Sequence, residues 1–290
     1  MKSPLRNQGI FLSLSMRLIK IAHEAPKSIF HQVQARTDYD YALVHLFEED
    51  SEYFKLFQDA VLDGREVILD NSIFELGKAF DPERFVYWIN KLKPAWYVVP
   101  DVLEDAVGTV ASMDTWISVW KPKVTAPSKM IGVVQGSSYD EIAKCYQYMD
   151  KVAGVDKIAI SFDYSYYQKS VPHPDKLMSW MLGRVKLISD LLKDGILNTS
   201  KPHHLLGCAL PGEGIFYPWD QFEFIDSVDT SNPIVHGFKR IAYRGSLGLN
   251  FKSSEKLYTL INSDIDLDQW NVIKFNVREF KRLWGGNYGI

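Results

Sequence analysis

Three aspartates in this chain each closely follow a short apolar run. Asp70 comes after Glu66–Leu69, Asp101 after Trp96–Val99, and Asp229 after Phe224–Val228. Amides and hydroxyls accompany them: Asn71 and Ser72 beside Asp70, Gln135 and Gly136 after Met130–Val134, and Thr230 to Asn232 beside Asp229. A single carboxylate at such a place is an ordinary cap or turn residue. Several converging on one mouth imply a site for a polar, nitrogen-rich ligand or for a metal. Two chemistries fit. In one, a carboxylate attacks a sugar carbon to form a covalent glycosyl intermediate, and a second handles the proton. A third would then accept hydrogen bonds from ring N–H groups, beside a Gln amide that both donates and accepts. In the other, His23, Glu24, His45 and an Asp hold a divalent metal that activates water. Spacing alone leaves both open.

The elements that would bring these residues together are short β-rich runs alternating with amphipathic helices. The runs are Arg17–Ile21, Tyr41–Leu46, Glu66–Leu69, Trp96–Val99, Met130–Val134, Lys157–Ile160, His204–Gly207 and Phe224–Val228. They are short and rich in branched or aromatic side chains, as buried parallel strands are. Between them, Tyr53, Leu56, Phe57 and Ala60 share a helical face. So do Phe85, Trp88, Ile89 and Leu92; Ile142, Cys145, Tyr146 and Met149; and Leu177, Met181, Val185 and Ile188. Asp81-Pro82 and Pro174-Asp175 read as helix starts. The stretch Glu104–Trp120 also reads as helix, whereas the segments after Gly195 and around Pro211–Trp219 carry weaker patterns. The expectation is a single-domain α/β chain over 1–290, a (β/α)8 TIM barrel at about 17–244 with short N- and C-terminal extensions, the latter about 245–290. No Gly-rich dinucleotide loop follows an early strand, which counts against an open doubly wound sheet. In a barrel the chemistry sits at the C-terminal strand ends, where the three aspartates fall.

Composition narrows the classes. The 290 residues are 46% hydrophobic and 24% charged, which excludes a disordered or collagen-like chain. Two cysteines, Cys145 and Cys208, exclude a disulfide scaffold and any four-cysteine zinc site. No apolar run reaches the roughly 18 residues of a membrane span. Serines interrupt the apolar stretch Ile10–Met16 and no small-residue cleavage site follows, so no signal peptide and a cytoplasmic location are expected. A formal charge of −3 excludes a general basic coat for nucleic acid, leaving room for a local patch.

The strand-end motifs, in order, resemble the guanine transglycosylases, which exchange guanine in a polynucleotide for a 7-deazaguanine base. Leu69-Asp70-Asn71-Ser72-Ile73-Phe74-Glu75 resembles the family's Asp-Ser-Gly-Gly-Phe-Gln segment. Gly132-Val133-Val134-Gln135-Gly136 is similar to its Gly-Ile-Val-Gln-Gly, and His204-Leu205-Leu206-Gly207-Cys208-Ala209-Leu210-Pro211 to its Tyr-Leu-Met-Gly-Val-Gly-x-Pro. Ile225-Asp226-Ser227-Val228-Asp229-Thr230 falls where the family has Val-Asp-x-Phe-Asp-Cys. The resemblance spans roughly Glu66 to Arg244. It implies Asp229 as nucleophile at C1′ and Asp70 as general acid/base. It further implies Asp101, Asn71, Gln135 and Gly136 as residues that hold the base, with Phe74 stacked on it. No cofactor or metal is implied.

Departures from the family pattern bear on the polymer. The tRNA-acting members carry a Cys-x-Cys-x-x-Cys and His zinc site, which this chain cannot build, so no zinc subdomain is expected. Ser72-Ile73 replaces a Gly-Gly pair, and Thr230-Ser231-Asn232-Pro233 replaces Pro-Thr-Arg after the nucleophile. The chain looks more like the phage and bacterial branch that inserts 7-deazaguanines, preQ0-like bases, into DNA. A phage-encoded copy would work in the host cytoplasm. The alternatives are a tRNA transglycosylase without zinc, the metal-dependent hydrolase using His23, Glu24 and His45, and a non-catalytic nucleobase or nucleic-acid binder. Lys239, Arg240 and Arg244, with Lys252 further on, are candidate phosphate contacts or a solvated face. The aromatic run Phe162–Tyr167 is either a set of solvated loop tyrosines or a stacking surface for an extruded base. His45 reads as a core histidine inside a strand, Cys145 as core, and His203-His204 as structural residues at the end of the barrel away from the site.

Overall fold

The computed structural model describes residues 19–152 and 155–285. Eight parallel strands run β1 (Lys20–Ala22), β2 (Asp40–Leu43), β3 (Val67–Asp70), β4 (Trp96–Val98), β5 (Lys129–Val134), β6 (Val155–Ser161), β7 (His203–Leu206) and β8 (Ile225–Asp229). They pair in the order β1-β8-β7-β6-β5-β4-β3-β2. The remaining seam, between β1 and β2, is bridged by Asp38: its N–H donates to the Ile21 carbonyl and its carboxylate accepts from Ile21 N–H, at 2.8 and 2.9 Å. The result is a nearly closed barrel ringed by helices, the (β/α)8 architecture expected from the alternation. Branched and aromatic residues bury both faces of each strand; all four residues of β2 and of β3 are buried.

The helix-start signals work as side-chain caps. Asp81 accepts from Arg84 N–H with Pro82 at the first turn, and Asp175 accepts from Leu177 N–H. The four predicted helical faces turn inward in Ser51–Leu62, Pro82–Leu92, Tyr139–Lys151 and Lys176–Lys193, with Leu56, Leu177 and Val185 only half-buried at their margins. Glu104–Trp120 becomes a helix from Ala106 that continues through the wide turn Trp116–Trp120. Where the pattern is weak, between β7 and β8, the crossover is only a 3-10 turn (Pro211–Phe216) and a four-residue helix (Trp219–Phe222).

Most strand bounds move by one or two residues, and two move by three. The first strand begins at Lys20, and Arg17 and Leu18 lie outside the described residues. The second ends at Leu43, so His45 is on a helix, Val44–Glu49, rather than in a strand. Val44, Leu46 and Phe47 are buried around it, and an apolar run buried on all sides does not distinguish strand from helix.

After β8 the helix Asn232–Phe238 packs against the long C-terminal helix Leu267–Leu283. A secondary apolar cluster of Ala25, Ile29, Ile234, Val235, Leu257 and Ile273 joins this extension to the start of the barrel. Between those two helices, residues 252–257 return to the C-terminal mouth and form part of its wall. Among the described residues no helix is long and apolar enough to cross a membrane.

Candidate active site

At the end of β3 the chain makes two successive tight turns. Ser72 N–H donates to Asp70 Oδ2 at 2.7 Å and Ile73 N–H donates to Asn71 Oδ1 at 2.9 Å. Ser72 adopts a left-handed conformation (φ 59°), which residues other than glycine rarely take. These turns hold Asp70 and Asn71 rigidly and point them to different partners. Asp70 Oδ1 accepts from Tyr41 O–H on β2 at 2.9 Å. Asn71 Nδ2 donates to Asp101 Oδ1 at 2.8 Å and to the Val99 carbonyl at 3.0 Å. From β5, Gln135 Nε2 donates to Asp101 Oδ2 at 2.7 Å, while its Oε1 accepts from Glu104 N–H at 2.9 Å. Asp101 is therefore clamped between two amides, one on each oxygen.

Across the barrel, Asp229 closes β8. Its Oδ1 accepts from His204 Nε2 on β7 and from Gly207 N–H, each at 3.1 Å, and no donor among the described residues reaches Oδ2. Gly207 has φ 63°, and a Cβ there would lie 2.5 Å from the Phe162 ring, so only glycine presents that N–H. The loop is fixed from behind by Arg184, which is fully buried. Its guanidinium pairs with Glu213 at 2.6 Å and also donates to the carbonyls of Leu206 and Gly207.

Asp70, Asp101 and Asp229 line one cavity of about 390 Å³, within the roughly 300–1,000 Å³ of small-molecule sites. Asn71 and Gln135 line it as well. An aromatic wall is formed by Phe74 and Phe162, whose ring centres are 5.8 Å apart, with Trp180 beyond. Two lysines from the extension reach this wall. Lys252 sits 3.5 Å over the Phe162 ring and donates to the Cys208 carbonyl; Lys256 sits 4.7 Å over Phe74 and donates to its carbonyl.

The cavity crowds acids. Burial, then the neighbouring Glu75 charge, holds the Asp70 carboxyl well above the usual range, against the opposing Ser72 and Tyr41 hydrogen bonds. Burial also raises Glu24, with Glu75, Asp229 and Asp70 adding to the effect, and pushes Glu75 up to about 7. Asp101 is raised by burial, opposed by its two amide partners. Lys252 is pulled down to about 8 by burial.

The structure thus brings together Asp229, Asp70, Asp101, Gln135, Asn71 and Phe74 in one cavity. Gly136 and the cations Lys239, Arg240 and Arg244 are not among the lining residues. Lys239 pairs with Glu255, Arg240 pairs with Asp266, and Arg244 lies over the Phe275 ring. The cavity's own cations, Lys252 and Lys256, come from an extension whose return to the mouth no local pattern announces.

His204 requires a correction. It points inside the barrel and contacts Asp229, because in a four-residue strand an imidazole two residues from the end reaches the next layer. His203 is structural, bonded to Tyr146. The Phe162–Tyr167 run is not a set of solvated loop tyrosines: Tyr164 and Tyr167 are core residues bonded to the carbonyls of Val134 and Ser161. Only Phe162 and Asp163 of that run line the cavity. Cys145 is core as expected. Cys208 is buried, its thiol raised by burial and bonded to the Leu210 carbonyl.

His23, Glu24 and His45 do not converge. His23 Nδ1 is engaged by the Thr230 carbonyl under the edge of Phe280, while His45 packs edge-on against Tyr258. Among the described residues no three His, Cys, Asp or Glu side chains are grouped as metal ligands. No family model matches the chain, and no curated protein matches it.

Proposed function

We propose that the protein is a guanine transglycosylase that exchanges guanine in DNA for a 7-deazaguanine base by double displacement. The observation that carries the reading is the division of labour among three buried aspartates on one cavity. Asp229 has one oxygen held by two N–H donors and the other free of any donor among the described residues, as a nucleophile requires. Asp70 keeps its proton more tightly than an ordinary carboxyl, as a general acid requires. Asp101, clamped between Asn71 and Gln135, offers fixed acceptors to the N–H edge of a purine.

In this mechanism Asp229 Oδ2 bonds to C1′ as the C1′–N9 bond breaks, and the departing guanine takes the Asp70 proton. The deprotonated Asp70 then removes the N9 proton of the incoming base, which attacks C1′ and releases Asp229. Two displacements retain the configuration at C1′. Phe74 and Phe162 supply an aromatic wall against which an extruded base can lie, offsetting part of the few kcal/mol needed to leave the duplex stack. Lys252 and Lys256 offer positive charge to the flanking phosphates. With Cys145 and Cys208 as its only cysteines, the chain lacks the zinc site of the tRNA-acting members, which favours DNA.

Labelled guanine offered with duplex DNA, single-stranded DNA and tRNA in parallel tests the reading. Label entering DNA supports it. Label entering tRNA alone overturns the choice of polymer, and label entering none of them overturns the chemistry.

A further inference from the structure

A line of buried polar side chains runs up the inside of the barrel beneath Asp229. Lys157 on β6 is 0% exposed; its ammonium donates to Asp226 Oδ2 at 2.6 Å and reaches Ser227 Oγ at 3.3 Å. The Trp96 ring lies 4.2 Å from the same ammonium. Ser227 Oγ is 2.9 Å from His204 Nδ1, and His204 Nε2 is 3.1 Å from Asp229 Oδ1. His204 is itself 0% exposed. Tyr41 stacks on its ring at 5.9 Å and also donates to Asp70.

These contacts have one self-consistent direction. An ammonium has no lone pair, so Lys157 donates to Ser227 Oγ. The Asp229 carboxylate can only accept, so His204 Nε2 carries the hydrogen. In a neutral ring Nδ1 is then bare and accepts from the Ser227 hydroxyl, whose lone pairs face the Lys157 ammonium. We propose that His204 is the positioning residue for Asp229, held in its Nε2–H tautomer by the chain Lys157–Ser227–His204.

The role in turnover rests on the transglycosylase reading; the tautomer does not. In the resting enzyme His204 and Gly207 together fix the Asp229 rotamer and occupy Oδ1, leaving Oδ2 to bond C1′. Once the glycosyl ester has formed, Oδ1 is its carbonyl oxygen. The same two donors then stabilise the carboxylate that reforms when the incoming base attacks C1′ and the C1′–Oδ2 bond breaks. Burial lowers the basicity of the His204 ring, which agrees with a neutral donor rather than an imidazolium. Tyr41 ties the two halves of the site together, since it packs on the ring that holds the nucleophile and bonds the acid that serves the leaving group.

The test is nitrogen NMR of the full-length protein labelled in its seven histidines, at pH 7. His204→Gln identifies the His204 signals by their loss. The expected result is one ring with Nε2 protonated and Nδ1 bare, and loss of that preference in Ser227→Ala. An Nδ1–H tautomer or an imidazolium at this site overturns the proposal, as does an unchanged tautomer in Ser227→Ala. In the base-exchange assay, His204→Leu should lower kcat roughly 10- to 100-fold with little change in KM for duplex DNA. His204→Gln, whose amide N–H can reach the same oxygen, should recover part of that loss. A matching loss in both variants, or a loss confined to KM, overturns the positioning role. If the wild-type protein exchanges no base yet shows the Nε2–H tautomer, the transglycosylase reading fails and the hydrogen-bonded chain stands.

Discussion

Asp101 and Asp229 are the same residue type lining one barrel mouth, yet their surroundings differ in kind. Each Asp101 oxygen meets a side-chain amide, from Asn71 and from Gln135, so the group is satisfied and fixed. Among the described residues Asp229 is supported on one oxygen only, by His204 and Gly207, and that support extends down to Lys157 and back to Arg184. A carboxylate saturated by rigid donors is suited to recognition. One held by a single oxygen is suited to attack. Asp70 is a third case: Tyr41 and Ser72 donate to it, but burial and then the acid neighbours Glu75 and Asp229 outweigh those bonds, so it keeps its proton.

Breaking this division should produce graded effects. Asp229→Asn keeps the shape but removes the nucleophile; base exchange should fall on the order of 10⁴-fold or more, measured as initial rates of label incorporation. Asp70→Asn should leave base binding intact while lowering kcat by roughly 10²- to 10⁴-fold, the range for loss of a general acid/base. Glu213→Ala should act on the supporting side. It strands the buried Arg184 and should lower unfolding stability by about 3–5 kcal/mol in a denaturant titration. Asn71→Ala strips one donor from Asp101 and leaves a buried acceptor unpaired. It should cost about 1–3 kcal/mol of stability and weaken base binding more than turnover.

A pH signature gives a further test. Glu75 holds its proton to about pH 7 in the folded protein, against an ordinary value of 4.5. The folded state therefore binds more protons than the unfolded one between those values, and stability falls as pH rises through that window. Glu75→Gln removes this dependence. Its melting temperature relative to wild type should rise from pH 4.5 to pH 7 and level off above, and a flat difference would contradict the crowding of acids around Asp70.

The barrel and the aspartates at its mouth were legible because strand, cap and strand-end signals are local. Asp229 follows its apolar run directly, and Asp81 and Asp175 cap where Pro82 and Pro174 mark a start. What was not legible depends on chain paths distant in sequence. Lys252 and Lys256 reach the cavity only because the C-terminal helix Leu267–Leu283 packs back on Asn232–Phe238. His204 reads as a structural residue at the far end of the barrel until the shortness of β7 places its ring against Asp229. The tyrosines of the Phe162–Tyr167 run look exposed by composition, yet Tyr164 and Tyr167 are drawn into the core to satisfy the carbonyls of Val134 and Ser161. His45 lies in an apolar run that carries no period because every side is buried, so its helix looks like a strand in the sequence.

The central claim is that Asp229 carries the sugar. The direct measurement is mass spectrometry of protein quenched with acid during exchange on duplex DNA, followed by nuclease and protease digestion. The account predicts a deoxyribosyl adduct on the peptide containing Asp229, absent from Asp229→Asn. An adduct on another residue, or base exchange that persists in Asp229→Asn, would contradict it.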